Sequence, residues 1–262
     1  MGSKWYGRLT AAALCMATAS AYPQDAMTNK DRLPTDCITS PEAHQCCISF
    51  IKHGSLSLNY EGKVVYIDPV RNFKPYSDFT IDYSTLDKAD VILITHEHDD
   101  HCDAAAVKAL MKNGTQLICN AGAAAKLGIE GAVVMKNGDV QKAGSWMSIT
   151  AVPAHNTTPG RENFHPANGR DNGYVLTFSS MKIYIAGDTE VVPDQVLKMG
   201  RMDAAFLPVN QPYTMTPEQA NTQARKLKPK ILYPYHYGDT DISKLSDLLR
   251  GTDIEVRIRG ME

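Results

Sequence analysis

Residues 89–101 read Ala-Asp-Val-Ile-Leu-Ile-Thr-His-Glu-His-Asp-Asp-His, and this stretch decides how the chain folds. Its first half, 89–95, is a nearly continuous apolar run, the mark of a strand covered on both faces. Its second half packs three histidines and three carboxylates into the six residues His96 to His101. Such a run makes poor core, and its polar groups do not fall on one face of an amphipathic helix. A loop at the end of a buried strand can turn them inward around a shared point. Imidazole and carboxylate are the ligands that borderline divalent metals prefer. A solvated turn has no need of three closely spaced histidines in a chain that has 8.

One cation wants about four ligands, so further donors are expected elsewhere. His155 follows the apolar run Ile-Thr-Ala-Val-Pro-Ala, Asp188 follows Ile-Tyr-Ile-Ala-Gly, and His236 follows Ile-Leu-Tyr-Pro-Tyr. Each stands just past the C-terminal end of a hydrophobic run, which gathers them at one edge of the sheets. Alone, a histidine is usually a satisfied surface or core residue and an Asp after Gly a turn; together with the first motif they point to a metal centre.

Working outward, 56–59 and 63–70 read as a hairpin turning at Glu61-Gly62. Further strands are expected over 116–119, 147–153, 174–178, 182–186, 204–208, 231–235 and 254–258, and helices over 103–112, 121–127 and 243–250. Thr216-Pro217-Glu218-Gln219 is a capping box with proline at the first helical position, so a helix should run from there to about Leu227. Strands outnumber helices, and helices punctuate both halves. That pattern predicts an α/β fold of two sheets packed face to face with helices outside, a four-layer αββα sandwich with functional loops at one edge.

The 262 residues are 43% hydrophobic and 21% charged, ordinary globular usage that excludes disordered, collagenous and repeat classes. A net charge of −2 gives no global field for phosphate backbones, so no nucleic-acid partner is expected. The basic run 225–230 reads as the solvated end of a helix. Lys4 and Arg8 precede a short apolar run, 9–21, that ends in Ala19-Ser20-Ala21, the three parts of a secretory signal peptide. The expectation is a leader over 1–21, a polar arm over 22–47, and a hydrolase domain over 48–262 of a secreted or periplasmic protein without stable membrane insertion. In an oxidising compartment Cys37 is expected to bridge to Cys46 or Cys47.

His96-x-His98-x-Asp100-His101, then His155, Gly187-Asp188-Thr189 and His236, resembles the metallo-β-lactamase superfamily in order and rough spacing over nearly all of 48–258. The phrases His53-Gly54-Ser55, Ile67-Asp68-Pro69, Ala186-Gly187-Asp188-Thr189 and Tyr233-Pro234-Tyr235-His236 resemble one branch, which contains the L-ascorbate-6-phosphate lactonases and the N-acylphosphatidylethanolamine-hydrolysing phospholipase D enzymes. The resemblance implies the αββα fold of the metallo-β-lactamase type and two divalent ions: zinc suits mixed His/Asp ligation, with manganese and iron open. It implies that His96, His98 and His155 hold one ion, Asp100, His101 and His236 the other, and that Asp188 bridges them. Two departures stand out: Cys102 occupies an aliphatic position of the branch, where packing is its expected role, and His155 stands where some members carry tyrosine.

The implied activity is hydrolysis of a small-molecule ester or lactone, a phosphorylated sugar derivative included, by metal-activated hydroxide. A phosphodiesterase of lipid or nucleotide substrates is the alternative, and a non-catalytic metal-binding module the alternative of another class. A true β-lactamase ranks below these. Asp100 is expected to shuttle a proton as well as to ligate, and His165, in the Gly/Asn/Pro-rich loop 156–173, to act as general acid. Arg161 could meet an anionic substrate, with Asn156, Tyr213 and Thr214 as further pocket candidates. Asp68 and Asp103 are candidates to orient a ligand imidazole, a helix cap being the equal alternative for Asp103. His53 reads as a hydrogen-bonded core histidine or one that reaches the metal floor.

Overall fold

The computed structural model describes residues 1–2, 33–72 and 80–261. The predicted leader, apart from its first two residues, and the arm up to residue 32 lie outside the described residues. Two seven-stranded sheets face each other. One is ordered as the chain runs: β1 (Thr35–Thr39), β2 (Gln45–Lys52), β3 (Ser55–Tyr60), β4 (Lys63–Ile67), β5 (Val91–Ile94), β6 (Gln116–Cys119) and β7 (Val133–Val134). The other mirrors it: β8 (Val140–Ala143), β9 (Met147–Ala154), β10 (Asp171–Phe178), β11 (Met181–Ile185), β12 (Ala204–Pro208), β13 (Ile231–Tyr235) and β14 (Glu255–Val256). In each sheet antiparallel hairpins give way to a parallel half, β4 to β7 and β11 to β14. The C-terminal ends of those parallel strands open onto the edge that carries the chemistry.

Period-2 alternation sorts the side chains into layers. Val65, Ile67, Val91 and Leu93 meet Ile183, Ile185, Ala204 and Phe206 between the sheets. On the outer face of the first sheet, Tyr66, Ile92 and Ile94 cover α1 (Ala104–Leu110) and α2 (Ala121–Leu127) through Ala106, Val107, Leu110, Ala123 and Leu127. On the outer face of the second, Tyr184, Ala205, Leu207 and Leu232 pack on α3 (Asp194–Lys198), α4 (Pro217–Leu227) and α5 (Lys244–Leu248). The predicted four layers are present, and Thr216 and Gln219 close the capping box on α4.

Two expectations change. The arm was expected to reach residue 47, but 35–39 and 45–52 are paired strands, because Cys46, Ile48 and Phe50 alternate into the inter-sheet core. Cys37 and Cys47 face each other in that pairing and form a disulfide, while Cys46 is a buried thiol. The last strand is also shorter than 254–258, only Glu255–Val256. Among the described residues no helix is long and apolar enough to cross a membrane.

Candidate metal centre

β5 is wholly buried and ends at Ile94, and after the buried Thr95 the chain turns. The turn is closed by hydrogen bonds from the His101 and Cys102 amides to the His98 carbonyl, at 3.1 and 3.0 Å. His96, His98, Asp100 and His101 thereby gather on a loop too short to scatter them. Asp103 then caps α1 by accepting from the Ala105 and Ala106 amides, and it pairs with Arg71, so the capping role is the one the structure gives it. Asp188 arrives past β11 through Gly187 at φ +64; a Cβ there would sit 2.7 Å from the Asn172 carbonyl oxygen, so only glycine lets the strand end approach so closely. His236 arrives past β13. Gly54, between β2 and β3, leaves room for the His101 ring, which a Cβ would meet at 3.0 Å.

Among the described residues three groups of donors form, each with its ligand atoms within 4.8 Å of one another: His96, His98 and His165; His53, Asp100 and His236; and His96, His101 and Asp188. His96 Nε2 lies 3.0 Å from His98 Nδ1. Asp188 stands between the groups, with Oδ2 3.3 Å from His165 Nε2 and 3.5 Å from His236 Nε2, and Oδ1 3.4 Å from His101 Nε2. His53 and His236 both turn Nε2 towards Asp100 Oδ2, at 3.3 and 3.2 Å. His101 Nε2 and Asp188 Oδ1 are buried atoms without a hydrogen-bond partner, which is expensive unless something else satisfies them. A divalent cation fits that need: the donors are of the right kind, close together, and face one another rather than solvent.

The imidazoles are oriented from behind. Asp68, fully buried, accepts from the Thr95 amide (2.7 Å), the Thr95 hydroxyl (2.7 Å) and His101 Nδ1 (2.8 Å). The Thr95 hydroxyl in turn lies 2.9 Å from His96 Nδ1. Asp171 Oδ2 holds His165 Nδ1 at 3.1 Å. Burial alone would lower the pKa of every one of these histidines. It prevails for His96, His98 and His236, whereas the charges of Asp188, Asp100 and Asp68 carry His101 far above its ordinary range. Hydrogen bonds to Asp171 and Asp188 raise His165 to about 9 against its burial. Asp188 and Asp100 are held well below the usual carboxylate range, against their own burial, by the surrounding imidazoles.

Six of the seven sequence-predicted ligands come together: His96, His98, Asp100, His101, Asp188 and His236. His155 does not join any donor group among the described residues. Its backbone is taken up by the neighbouring turn, the amide by the Thr189 hydroxyl and the carbonyl by the Glu190 amide. Burial lowers its pKa. His165 occupies the place expected of His155. That also corrects its expected role as a free general acid, because one ring nitrogen faces Asp171 and the other Asp188. His53, left open by the sequence, reaches the metal floor. Cys102 is packed in the outer core, its thiol pushed up to about 12 by burial. Arg161 turns to the Gln211 side chain (2.9 Å) and to Glu190 (3.6 Å), and Asn156 donates to the Tyr213 carbonyl. Thr214 is buried against Asn210, and Tyr213 is exposed with its ring against Phe164.

The β-lactamase superfamily domain matches residues 47–236, a span that contains every donor in the centre. The chain belongs to this family. A UPF0173 metal-dependent hydrolase of Deinococcus radiodurans is 28% identical over 220 residues, covering 80% of this chain and 95% of the relative. The crystal structure of a candidate metal-dependent hydrolase from Parabacteroides distasonis is 50% identical, covers 88% of this chain and 100% of that one, and matches with a TM-score of 0.79. Igni18, a metallo hydrolase from Ignicoccus hospitalis, is 22% identical over 87% of this chain and 96% of its own; it shares the fold with a TM-score of 0.67. The chain is a metallo-β-lactamase-superfamily hydrolase with candidate His/Asp metal clusters.

Proposed function

We propose that the chain hydrolyses a small-molecule ester or lactone at a centre of two divalent ions, zinc before manganese or iron. The observation that supports this reading is the position of Asp188, whose Oδ2 lies between His165 of one ligand set and His236 of the other, with Oδ1 towards His101. His96, His98 and His165 would hold one ion and Asp100, His101 and His236 the other, with Asp188 between and His53 steadying Asp100. Bound there, the ions supply a nucleophile from water at neutral pH and a Lewis acid for the substrate's oxygen. Asp100 is the carboxylate of the centre with exposed surface, 17% of its side chain, which suits it to pass a proton to or from solvent.

An uncharged acyl substrate is favoured over a phosphorylated one by the cations beside the centre. Arg161 is engaged by Gln211 and Glu190, and Arg170 by Asp171 and Glu97, so neither offers its charge to an incoming anion. We also propose export, with the leader removed near Ala21; the Cys37–Cys47 disulfide supports an oxidising compartment. The test is a panel of p-nitrophenyl esters, lactones and bis-p-nitrophenyl phosphate, with and without chelator. Chelator-sensitive turnover of esters or lactones is expected. Turnover of the phosphodiester alone would move the assignment to a phosphodiesterase, and tight metal binding without any turnover to a binding module.

A further inference from the structure

Glu97 sits inside the ligand motif between His96 and His98 and belongs to none of the donor groups. Its carboxylate turns away from the centre, to Asn120 Nδ2 at 3.1 Å and Arg170 Nε at 3.3 Å. Arg170 grips Asp171 with two nitrogens, Nε to Oδ1 at 2.6 Å and Nη2 to Oδ2 at 2.8 Å, and its Nη2 also donates to the Phe164 carbonyl at 3.0 Å. Asp171, fully buried, holds His165 Nδ1. A continuous chain of contacts thus runs from the loop that carries His96 and His98 to the separate loop that carries His165. Asn120 fastens its middle: Oδ1 caps α2 by accepting from the Ala123 amide, while Nδ2 donates to Glu97 and to the Arg170 carbonyl.

A second observation shows that the fold makes room for this chain. Gly122 lies in the first turn of α2, where alanine is ordinarily the better helix former. A Cβ there would meet the Glu97 carboxylate, 2.5 Å from Oε2 and 2.7 Å from Cδ. Lys126, one turn further on, ties the same loop by donating to the Glu97 carbonyl and to Asp99 Oδ1, both at 2.6 Å.

We propose that Glu97, Arg170 and Asp171 are positioning residues that set the metal affinity of the His96–His98–His165 site by locking His165 to the loop of the other two ligands. The proposal rests on the two-ion reading above. Bidentate contact to Arg170 fixes both oxygens of Asp171, so Asp171 can hold only one ring face and tautomer of His165, with Nε2 aimed at the centre. Glu97 fixes Arg170 in turn.

The test is metal titration of the full chain, stripped with chelator, by competition with a chromophoric chelator and by cobalt(II) absorption. His165→Ala identifies which equivalent belongs to this site. Glu97→Gln, Arg170→Gln and Asp171→Asn should each weaken that equivalent by about 10- to 100-fold and leave the other within about twofold. Arg170→Lys should recover only part of the loss, because an ammonium cannot grip both oxygens. Gly122→Ala leaves every donor and every clamp residue in place. It should weaken the same equivalent in the wild-type chain and do nothing further in a Glu97→Ala chain, where its methyl meets no carboxylate. Variants that melt at a lower temperature but bind both ions with wild-type affinity would overturn the clamp and leave the two-ion reading standing. A wild-type chain that binds no ion would overturn both. In a chain that binds a single ion, unchanged affinity in the variants overturns the clamp in the same way.

Discussion

Asp68→Asn tests whether the centre depends on carboxylate control of imidazole tautomers. Asp68 belongs to no donor group in the centre, yet its two oxygens accept three hydrogen bonds in a fully buried position, one of them from the ligand imidazole of His101. An asparagine has the same shape but one acceptor and one donor end. If its oxygen takes the Thr95 amide, its NH2 faces the Thr95 hydroxyl and His101 Nδ1. The hydroxyl can turn and donate to His96 Nδ1, and His101 can put its proton on Nε2. Both adjustments move a ring proton to the nitrogen that faces the ion. If the amide flips, its NH2 meets the Thr95 N–H instead, donor against donor.

Removing such an orienting partner costs about 10- to 100-fold in metal affinity, about 1.4 to 2.7 kcal/mol per ion. Asp68 reaches His101 directly and His96 through Thr95, so both equivalents should weaken. Thr95→Val cuts only the branch to His96 and should weaken one. The fold should tolerate asparagine far better than alanine, which leaves the Thr95 amide and hydroxyl without an acceptor at roughly 1–3 kcal/mol each. The assay pairs chelator competition for each ion with urea unfolding of the metal-free chain. Wild-type affinity for both ions in Asp68→Asn would refute the reasoning, and so would a loss of affinity no larger than the loss of folding stability explains.

His165→Ala should cost one metal equivalent and His155→Ala none, as read by elemental analysis of the purified variants; the reverse result would restore His155 to the centre. Ion binding should release about two protons per chain near pH 7. The carboxylates keep His101 protonated, hydrogen bonds raise His165 to about 9, and each must lose a proton to offer a lone pair. Affinity should therefore climb with pH up to about 9, which calorimetry in buffers of different ionisation enthalpy can check. The sign is opposite for folding of the metal-free chain: His165 contributes fully below its unfolded pKa of ~6.5, and that contribution is lost as pH rises through about 9. Replacing Cys37 and Cys47 with serine opens a loop of sequence separation 10. Chain-entropy reasoning puts the cost at about 2.7 kcal/mol in urea unfolding, with metal content unchanged.

The interior was legible because burial writes a pattern. Runs such as Val-Ile-Leu-Ile at 91–94 and Ala-Ala-Phe-Leu-Pro at 204–208 are covered on both faces, and their apolar content declares them. The edges were not. β7 has two residues, β8 exposes Val140 at 61%, and α3 has five residues, so none offers enough periodicity to read. The arm was misjudged for a related reason. Cys46, Ile48 and Phe50 alternate inward, but prolines and polar residues around them dilute the pattern before β2 begins.

The third histidine of the first site shows where a one-dimensional rule fails. A donor just past a strand end works for the 95–101 loop, Asp188 and His236, because β5 and β13 run parallel to both neighbours and β11 to β12, so all three end at one edge. His155 also follows a strand, but its backbone is tied to Thr189 and Glu190, and among the described residues its ring joins no donor group. His165, ten residues on in a loop without periodicity, has what a ligand imidazole needs: an acceptor for its second nitrogen, supplied by Asp171 at the start of β10. The better rule is thus to look for the histidine whose outer nitrogen can be held, not the one whose backbone ends a strand. With Nδ1 held by Asp171 and Nε2 turned to Asp188, His165 is placed as an ion donor rather than as a proton donor. Asp100, kept ionised by the imidazoles around it and partly exposed, is placed to take up the proton of the nucleophilic water and relay it.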